Sequence, residues 1–101
     1  MFVAASLLFV PGSRPDRFAK AKVGGADLTV IDLEDAVAAE DKASARGAAL
    51  AQVAEGPEGW AVRINGVATA FGVRDLAALS ECECLPETLL VPMVESAVEL
   101  G

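Results

Sequence analysis

Four short apolar runs, rich in Val, Leu and Ile, recur along the chain at residues 7–10, 28–33, 60–64 and 88–94. Each is bounded by Gly, Pro or charge, as buried strands are. A helical pattern fills every gap between them. The first helix is expected to open at Ser13 as N-cap, with Pro15 in its first turn and Asp16 complementing the dipole, and to stop at Gly24-Gly25. The second is expected over about 39–54, with Ala43, Gly47, Leu50 and Ala54 as its sheet-facing stripe and Gly56-Pro57 ending it. The third is short, about 73–80, with Val73, Leu76, Ala77 and Leu79 as its apolar residues. Strands alternating with single helices are the βαβ pattern. They imply an α/β fold with a parallel sheet and right-handed crossovers. Near-continuous apolar strands agree, because parallel sheets are covered on both faces.

At 101 residues the chain holds one small domain. A complete (β/α)₈ barrel needs about 250. The 53% hydrophobic content comes mostly from Ala and Val, which suit close helix-on-sheet packing and are far too abundant for disorder. No stretch approaches the ~18–20 unbroken apolar residues of a membrane span. The apolar start, residues 2–10, lacks a basic flank and runs straight into Pro11-Gly12-Ser13-Arg14-Pro15, so it reads as a strand and not a signal peptide. The net charge of −7 disfavours nucleic acid and anionic membrane as partners. Four of the eight basic residues, Arg14, Arg17, Lys20 and Lys22, nevertheless fall within nine positions. There is no His, so His-based catalysis and His metal ligands are excluded. Cys82 and Cys84, as Cys-Glu-Cys, are poorly placed to bridge each other and lack a second pair for zinc. They read as free thiols in a reducing cytoplasm.

In parallel α/β folds ligands sit at the carboxyl ends of strands. Strand one ends in a Gly turn leading to a helix start flanked by Arg14 and Arg17, which fits either an anion site or an ordinary capped turn. Strand two ends in Asp32-Leu33-Glu34-Asp35. Asp32 and Glu34 share a face by period 2, and Asp35 lies beyond the pleat. Such an oxygen-rich cluster suits Mg²⁺, directly or through its waters, although Glu34 or Asp35 could instead cap the next helix. Strand three carries Arg63 and Asn65 on one face. A sheet arginine needs an anion, either a substrate carboxylate or an internal partner such as Glu34. Near strand four, Met93 reads as packing and Glu95 as a residue favouring a helix N-terminus. Ser96 with Glu99 forms a capping box. A helix that starts within about one turn of Gly101 leads us to expect a longer βα repeat, cut short within the helix after strand four. A frayed tail is the alternative.

These residues, in order, resemble a known family. Leu8-Phe9-Val10-Pro11-Gly12-x-Arg14-Pro15-x-Arg17-Phe18-x-Lys20-Ala21 is followed by Gly25-Ala26-Asp27 and Asp32-Leu33-Glu34-Asp35-Ala36-Val37. Lys42 with Arg46, Arg63-Ile64-Asn65 and Val91-Pro92-x-Val94-Glu95-Ser96-Ala97 complete the set. The chain resembles the N-terminal part of the citrate lyase beta-subunit-like family, within the HpcH/HpaI aldolase and citrate lyase superfamily. The resemblance implies that residues 1–101 are the first four strands of a single TIM (β/α)₈ barrel domain, a half-barrel fragment. It implies a Mg²⁺-dependent carbon–carbon lyase or aldolase acting on CoA or acyl-carrier-protein thioesters of citryl, malyl or citramalyl type. It further implies a cytoplasmic homo-oligomer, trimer or hexamer, whose partner is a small acyl-thioester or keto-acid substrate.

By the same resemblance, Arg63 matches the arginine that grips the substrate carboxylate. Glu34 and Asp35 match acidic residues holding metal-bound water. Arg14, Arg17 and Lys20 lie where the carrier's phosphates approach. The direct metal ligands are expected beyond residue 101, so no direct ligand is assigned in this chain and the chain alone is expected to be inactive. Met93 departs from the Lys usual at its position and is seen more in the dicarboxylate keto-acid aldolase branch, an alternative enzyme reading. Two non-enzymatic readings stand beside these: a half-barrel fragment, and a self-associating α/β anion-binding module built on the Arg14/Arg17 turn.

Overall fold

A computed structural model describes residues 6–92 of the chain. Four strands, β1 (Leu7–Pro11), β2 (Leu28–Asp32), β3 (Trp60–Arg63) and β4 (Thr88–Leu90), form one sheet in the order β1-β2-β3-β4. All three strand pairs are parallel. The connections are helical: α1 (Phe18–Lys22), α2 (Lys42–Glu55) and α3 (Ala70–Ser80), with 3₁₀ turns at Pro15–Arg17 and Ala39–Asp41 leading into the first two. The α/β architecture expected from the spacing of the apolar runs is therefore present.

The pleat sorts the strands into two faces. Val10, Ile31, Val62 and Ile64 pack with Phe18, Ala45, Ala49, Val53 and Leu79 in one buried cluster, which is the sheet–helix core. The opposite face carries Phe9, Val30 and Ala61, then Pro11, Asp32, Arg63 and Leu90 two residues on. These last four are register partners in one row across the carboxyl end of the sheet. Leu7 and Phe9, on edge strand β1, remain more than two-fifths exposed.

Several local expectations change. Ser13 does not cap the first helix; Arg14 occupies the cap position without a side-chain bond, and α1 proper is only five residues. Pro15 opens a tight 3₁₀ turn, Pro15–Arg17, that leads into α1. In α2 the buried stripe is Lys42, Ala45, Ala49 and Val53, whereas Ala43, Gly47 and Ala54 face out and Leu50 is half-buried. So many alanines in α2 make helical spacing uninformative, and what decides its rotation is a polar residue, Lys42, with partners inside. α3 begins at Ala70, capped by Thr69, whose hydroxyl accepts from the Gly72 N–H at 3.0 Å. It buries Gly72, Asp75 and Leu79, whereas Val73 and Leu76 are exposed. β4 ends at Leu90, short of the expected 94, because Pro92 cannot donate to a ladder. Met93, Val94, Glu95 and the Ser96/Glu99 capping box lie outside the described residues. Cys82 and Cys84 are free, half-buried thiols that donate to the carbonyls of Ala78 and Val53.

Candidate active site

Asp32 ends β2 directly beside Arg63, the last residue of β3. The parallel register alone brings the two side chains together, and they form a two-point pair: Arg63 Nε donates to Asp32 Oδ1 at 2.9 Å and Nη2 to Oδ2 at 2.7 Å. The carboxylate is buried and the guanidinium side chain 27% exposed. Asp32 also accepts from the backbone N–H of Glu34 at 2.9 Å and of Ala36 at 3.2 Å. Burial is the largest single influence on this carboxyl and opposes its ionisation. The Arg63 hydrogen bonds and charge and the two N–H donors together outweigh it, holding the carboxyl below the usual carboxylate range. The Asp32 hydrogen bonds foremost, then the charges of Asp32, Glu34 and Asp35, raise the already high pKa of Arg63 and keep it a permanent cation.

Of the two partners left open for Arg63, the internal one is thus present, and it is Asp32 more than Glu34. Glu34 stands at 3.6 Å from Arg63 Nε, beyond hydrogen-bond reach, and its side chain is 28% exposed. Three guanidinium N–H groups, both on Nη1 and the second on Nη2, have no acceptor among the described residues. Phe9 of β1 lies under the guanidinium, 4.9 Å from ring centroid to Cζ. Arg63 is therefore held on two sides with its outer fork unsatisfied. That is the arrangement a planar carboxylate can complete.

Glu34 and Asp35 sit in a turn closed by the Val37 N–H donating to the Glu34 carbonyl at 3.2 Å. Neither carboxylate accepts a hydrogen bond from the described residues, and Asp35 is fully on the surface side of the turn. Asp32 has no such freedom, since four donors occupy its two oxygens. Among the described residues no group of three or more carboxylates or thiols converges on a metal position. The donor set fits water-mediated contact to a hard cation through Glu34 and Asp35, not a complete coordination shell.

A second polar chain lies behind the turn. Lys42 Nζ donates to the carbonyls of Leu33 and Glu34, each at 2.9 Å, and to Asn65 Oδ1 at 2.7 Å. Asn65 donates its backbone and side-chain N–H groups to Asp75 Oδ2 at 2.9 and 2.7 Å. Asp75 Oδ1 accepts from Arg46 Nε at 2.8 Å. Phe9, Lys42 and Asp75 were not singled out for these roles from sequence. A buried Asp on a helix otherwise read as apolar is the signal that marks such a network, once a partner such as Arg46 is sought.

The basic segment divides. Arg14 pairs with Asp16 on the surface at 3.0 Å, which raises the arginine's pKa and lowers the aspartate's through their mutual hydrogen bond. Arg17 and Lys20 make no ion pair with other described residues and line an open groove of about 610 Å³ beside β1, shared with Asp16 and Phe9. Phe9 thus belongs both to this groove and to the Arg63 site. The structure does not bring Arg14 to that groove.

A parallel β/α sheet in sequential strand order, with an anchored arginine and acidic residues at its carboxyl edge, has the α/β architecture in which ligands sit at that edge. The chain belongs to the HpcH/HpaI aldolase/citrate lyase family, whose model matches residues 5–101. The L-malyl-CoA/beta-methylmalyl-CoA lyase of Cereibacter sphaeroides is 46% identical over 81 residues, covering 73% of this chain and 24% of the relative. The (3S)-malyl-CoA thioesterase of the same species is 38% identical over 98 residues, covering 94% and 34%. Among solved structures, the citrate lyase beta subunit of Mycobacterium tuberculosis complexed with oxaloacetate and magnesium superimposes with a TM-score of 0.74 at 43% identity, covering 97% of this chain and 44% of that one. The chain spans about a third of the length of the curated relatives it matches. No helix among the described residues is long and apolar enough to cross a membrane.

Proposed function

We propose that these residues are the first four βα units of a single TIM-barrel domain in a Mg²⁺-dependent carbon–carbon lyase, and that the substrate is a CoA thioester of a hydroxy-dicarboxylic or tricarboxylic acid. The observation that carries this reading is Arg63, held by Asp32 and Phe9 with its outer fork unsatisfied, beside the Glu34 and Asp35 carboxylates, neither of which accepts a hydrogen bond from the described residues. Family membership supports the lyase class, and the oxaloacetate and magnesium held by the M. tuberculosis relative support the keto-acid and metal chemistry.

In this reading the outer N–H groups of Arg63 receive the carboxylate of the keto-acid half of the substrate. The guanidinium arrives pre-oriented, so little side-chain freedom is lost on binding. Glu34 and Asp35 accept hydrogen bonds from water in the site and hold that water in place. Magnesium, when bound, supplies Lewis-acid stabilisation of the charge that develops on the carbonyl oxygen as the C–C bond breaks or forms. Asp32 keeps Arg63 from turning onto Glu34, which leaves the Glu34 oxygens for water. Arg17 and Lys20, on their groove beside Phe9, are positioned for the anionic carrier of the thioester.

The thioesterase among the relatives favours a second reading, hydrolysis of the thioester with the carbon skeleton intact. Product analysis separates the two. The full-length protein with Mg²⁺ is incubated with malyl-, citramalyl- and citryl-CoA. The lyase reading expects a short acyl-CoA and a keto or aldehyde acid in equal amounts. Free CoA thiol with the intact hydroxy acid would establish the second reading instead.

A further inference from the structure

Lys42 is a buried cation without a carboxylate partner among the described residues. Its ammonium has three protons, and all three go to neutral oxygens: the carbonyls of Leu33 and Glu34, and Oδ1 of Asn65. The Phe71 ring, 5.4 Å from Nζ, closes another side. Burying a charge in this way adds little to stability compared with an apolar side chain. What it does locally is specific. The turn that carries Glu34 and Asp35 is held through its N–H groups by Asp32, at Glu34 and Ala36, and through its carbonyls by Lys42, at Leu33 and Glu34. An anion and a cation, both buried, clamp the same turn from opposite polarities and meet at the Leu33–Glu34 peptide unit.

We infer that Lys42 is a positioning residue for the acidic turn: it sets where the Glu34 and Asp35 carboxylates stand relative to Arg63. Asn65 and Asp75 extend the clamp to α3, and Arg46 ties it back to α2. The position of the acidic turn is thereby registered to two helices and to the end of β3. The consequence for catalysis rests on the lyase reading above, but the structural claim does not.

The test uses the full-length protein and two variants on α2. Lys42→Met removes the ammonium while keeping most of the unbranched side chain. Val53→Ala perturbs the same helix at a fully buried core position away from the turn. Amide hydrogen exchange is followed at Glu34 and Ala36 and, for reference, at Ile31 and Val62. Lys42→Met is expected to speed exchange at Glu34 and Ala36 by at least tenfold relative to the strand amides. Val53→Ala is expected to change the two sets alike. In a protein with Mg²⁺-dependent turnover, Lys42→Met is also expected to raise the Mg²⁺ activation constant by about 10–100-fold, as loss of outer supports of metal sites does, with Val53→Ala within about twofold of the parent. Equal exchange at turn and strand amides in Lys42→Met would overturn the proposal whatever the activity. So would a Mg²⁺ constant that moves as much in Val53→Ala as in Lys42→Met. If the parent has no Mg²⁺-dependent turnover, the lyase reading fails and the exchange comparison still decides the role of Lys42.

Discussion

Asp32→Asn is the substitution that probes the site most cleanly, because the side chain keeps its shape and loses only its charge and one acceptor. In the parent, two oxygens serve four donors at 2.7–3.2 Å. The amide keeps one oxygen and turns an NH₂ toward donors that cannot accept from it. Removing one member of a buried ion pair costs about 3–5 kcal/mol. Arg63 is 27% exposed and recovers part of its hydration, with Glu34 3.6 Å away as a second anion. The expected loss is therefore about 2–3 kcal/mol, at or below the lower end of that range. With a urea slope of about 2 kcal/mol/M, the unfolding midpoint should fall by about 1–1.5 M with the slope unchanged.

The pH dependence supplies a second check on the same substitution. The native carboxyl of Asp32 titrates below its ordinary value of 3.8, so its stabilisation is complete above that value and is lost as pH falls through the native one. The gap between parent and variant should be widest at neutral pH and close in acid. A midpoint shift of less than about 0.3 M, or a gap that persists unchanged into strong acid, would refute the assignment of Asp32 as the anchor of Arg63.

Other substitutions test the frame around the site. Gly72→Ala should destabilise by about 3 kcal/mol or more, since a Cβ there would collide with the Gly66 carbonyl and meet the Asn65 carbonyl oxygen at 2.8 Å, both backbone; a thermal melt within a degree or two of the parent would contradict this. Thr69→Ala should cost about 1 kcal/mol through loss of the α3 cap, read in urea, with Thr69→Ser recovering most of it. Arg63→Lys keeps the charge but not the fork, and should raise KM for the keto acid by about 10-fold or more, at a cost of one charge-assisted hydrogen bond of about 1.5–3 kcal/mol.

Much of this fold is written in short-range patterns. The strand positions follow from apolar runs and turn residues, and parallel pairing follows from one helix per gap. Arg63, Glu34 and Asp35 are recognisable because charge at the end of an apolar strand is costly without a purpose. The partner of Arg63 is less accessible, because Asp32 lies 31 residues away and only the strand register decides that the two are neighbours. In α2, alanine at nearly every turn erases the periodic signal, and the rotation is set by Lys42 and its three acceptors, which lie in the segments just after β2 and β3. Asp75 is hidden for a related reason: its burial makes sense only with Arg46 on a different helix and Asn65 on the strand end. The short α1 shows the converse, where Pro15 opens the entry turn and the Arg14–Asp16 pair lies on its surface, while Ser13, the expected cap, takes no part.

In the function proposed above, an Asp32-anchored Arg63 binds the substrate carboxylate in a Mg²⁺-dependent C–C lyase. The most direct measurement is kcat/KM for thioester cleavage by full-length protein carrying Arg63→Ala, with the fold checked by circular dichroism. A loss of at least about 100-fold is expected, the value of a fully removed charged contact of about 3 kcal/mol, in a protein that remains folded. Near-normal turnover in a folded Arg63→Ala variant would contradict it.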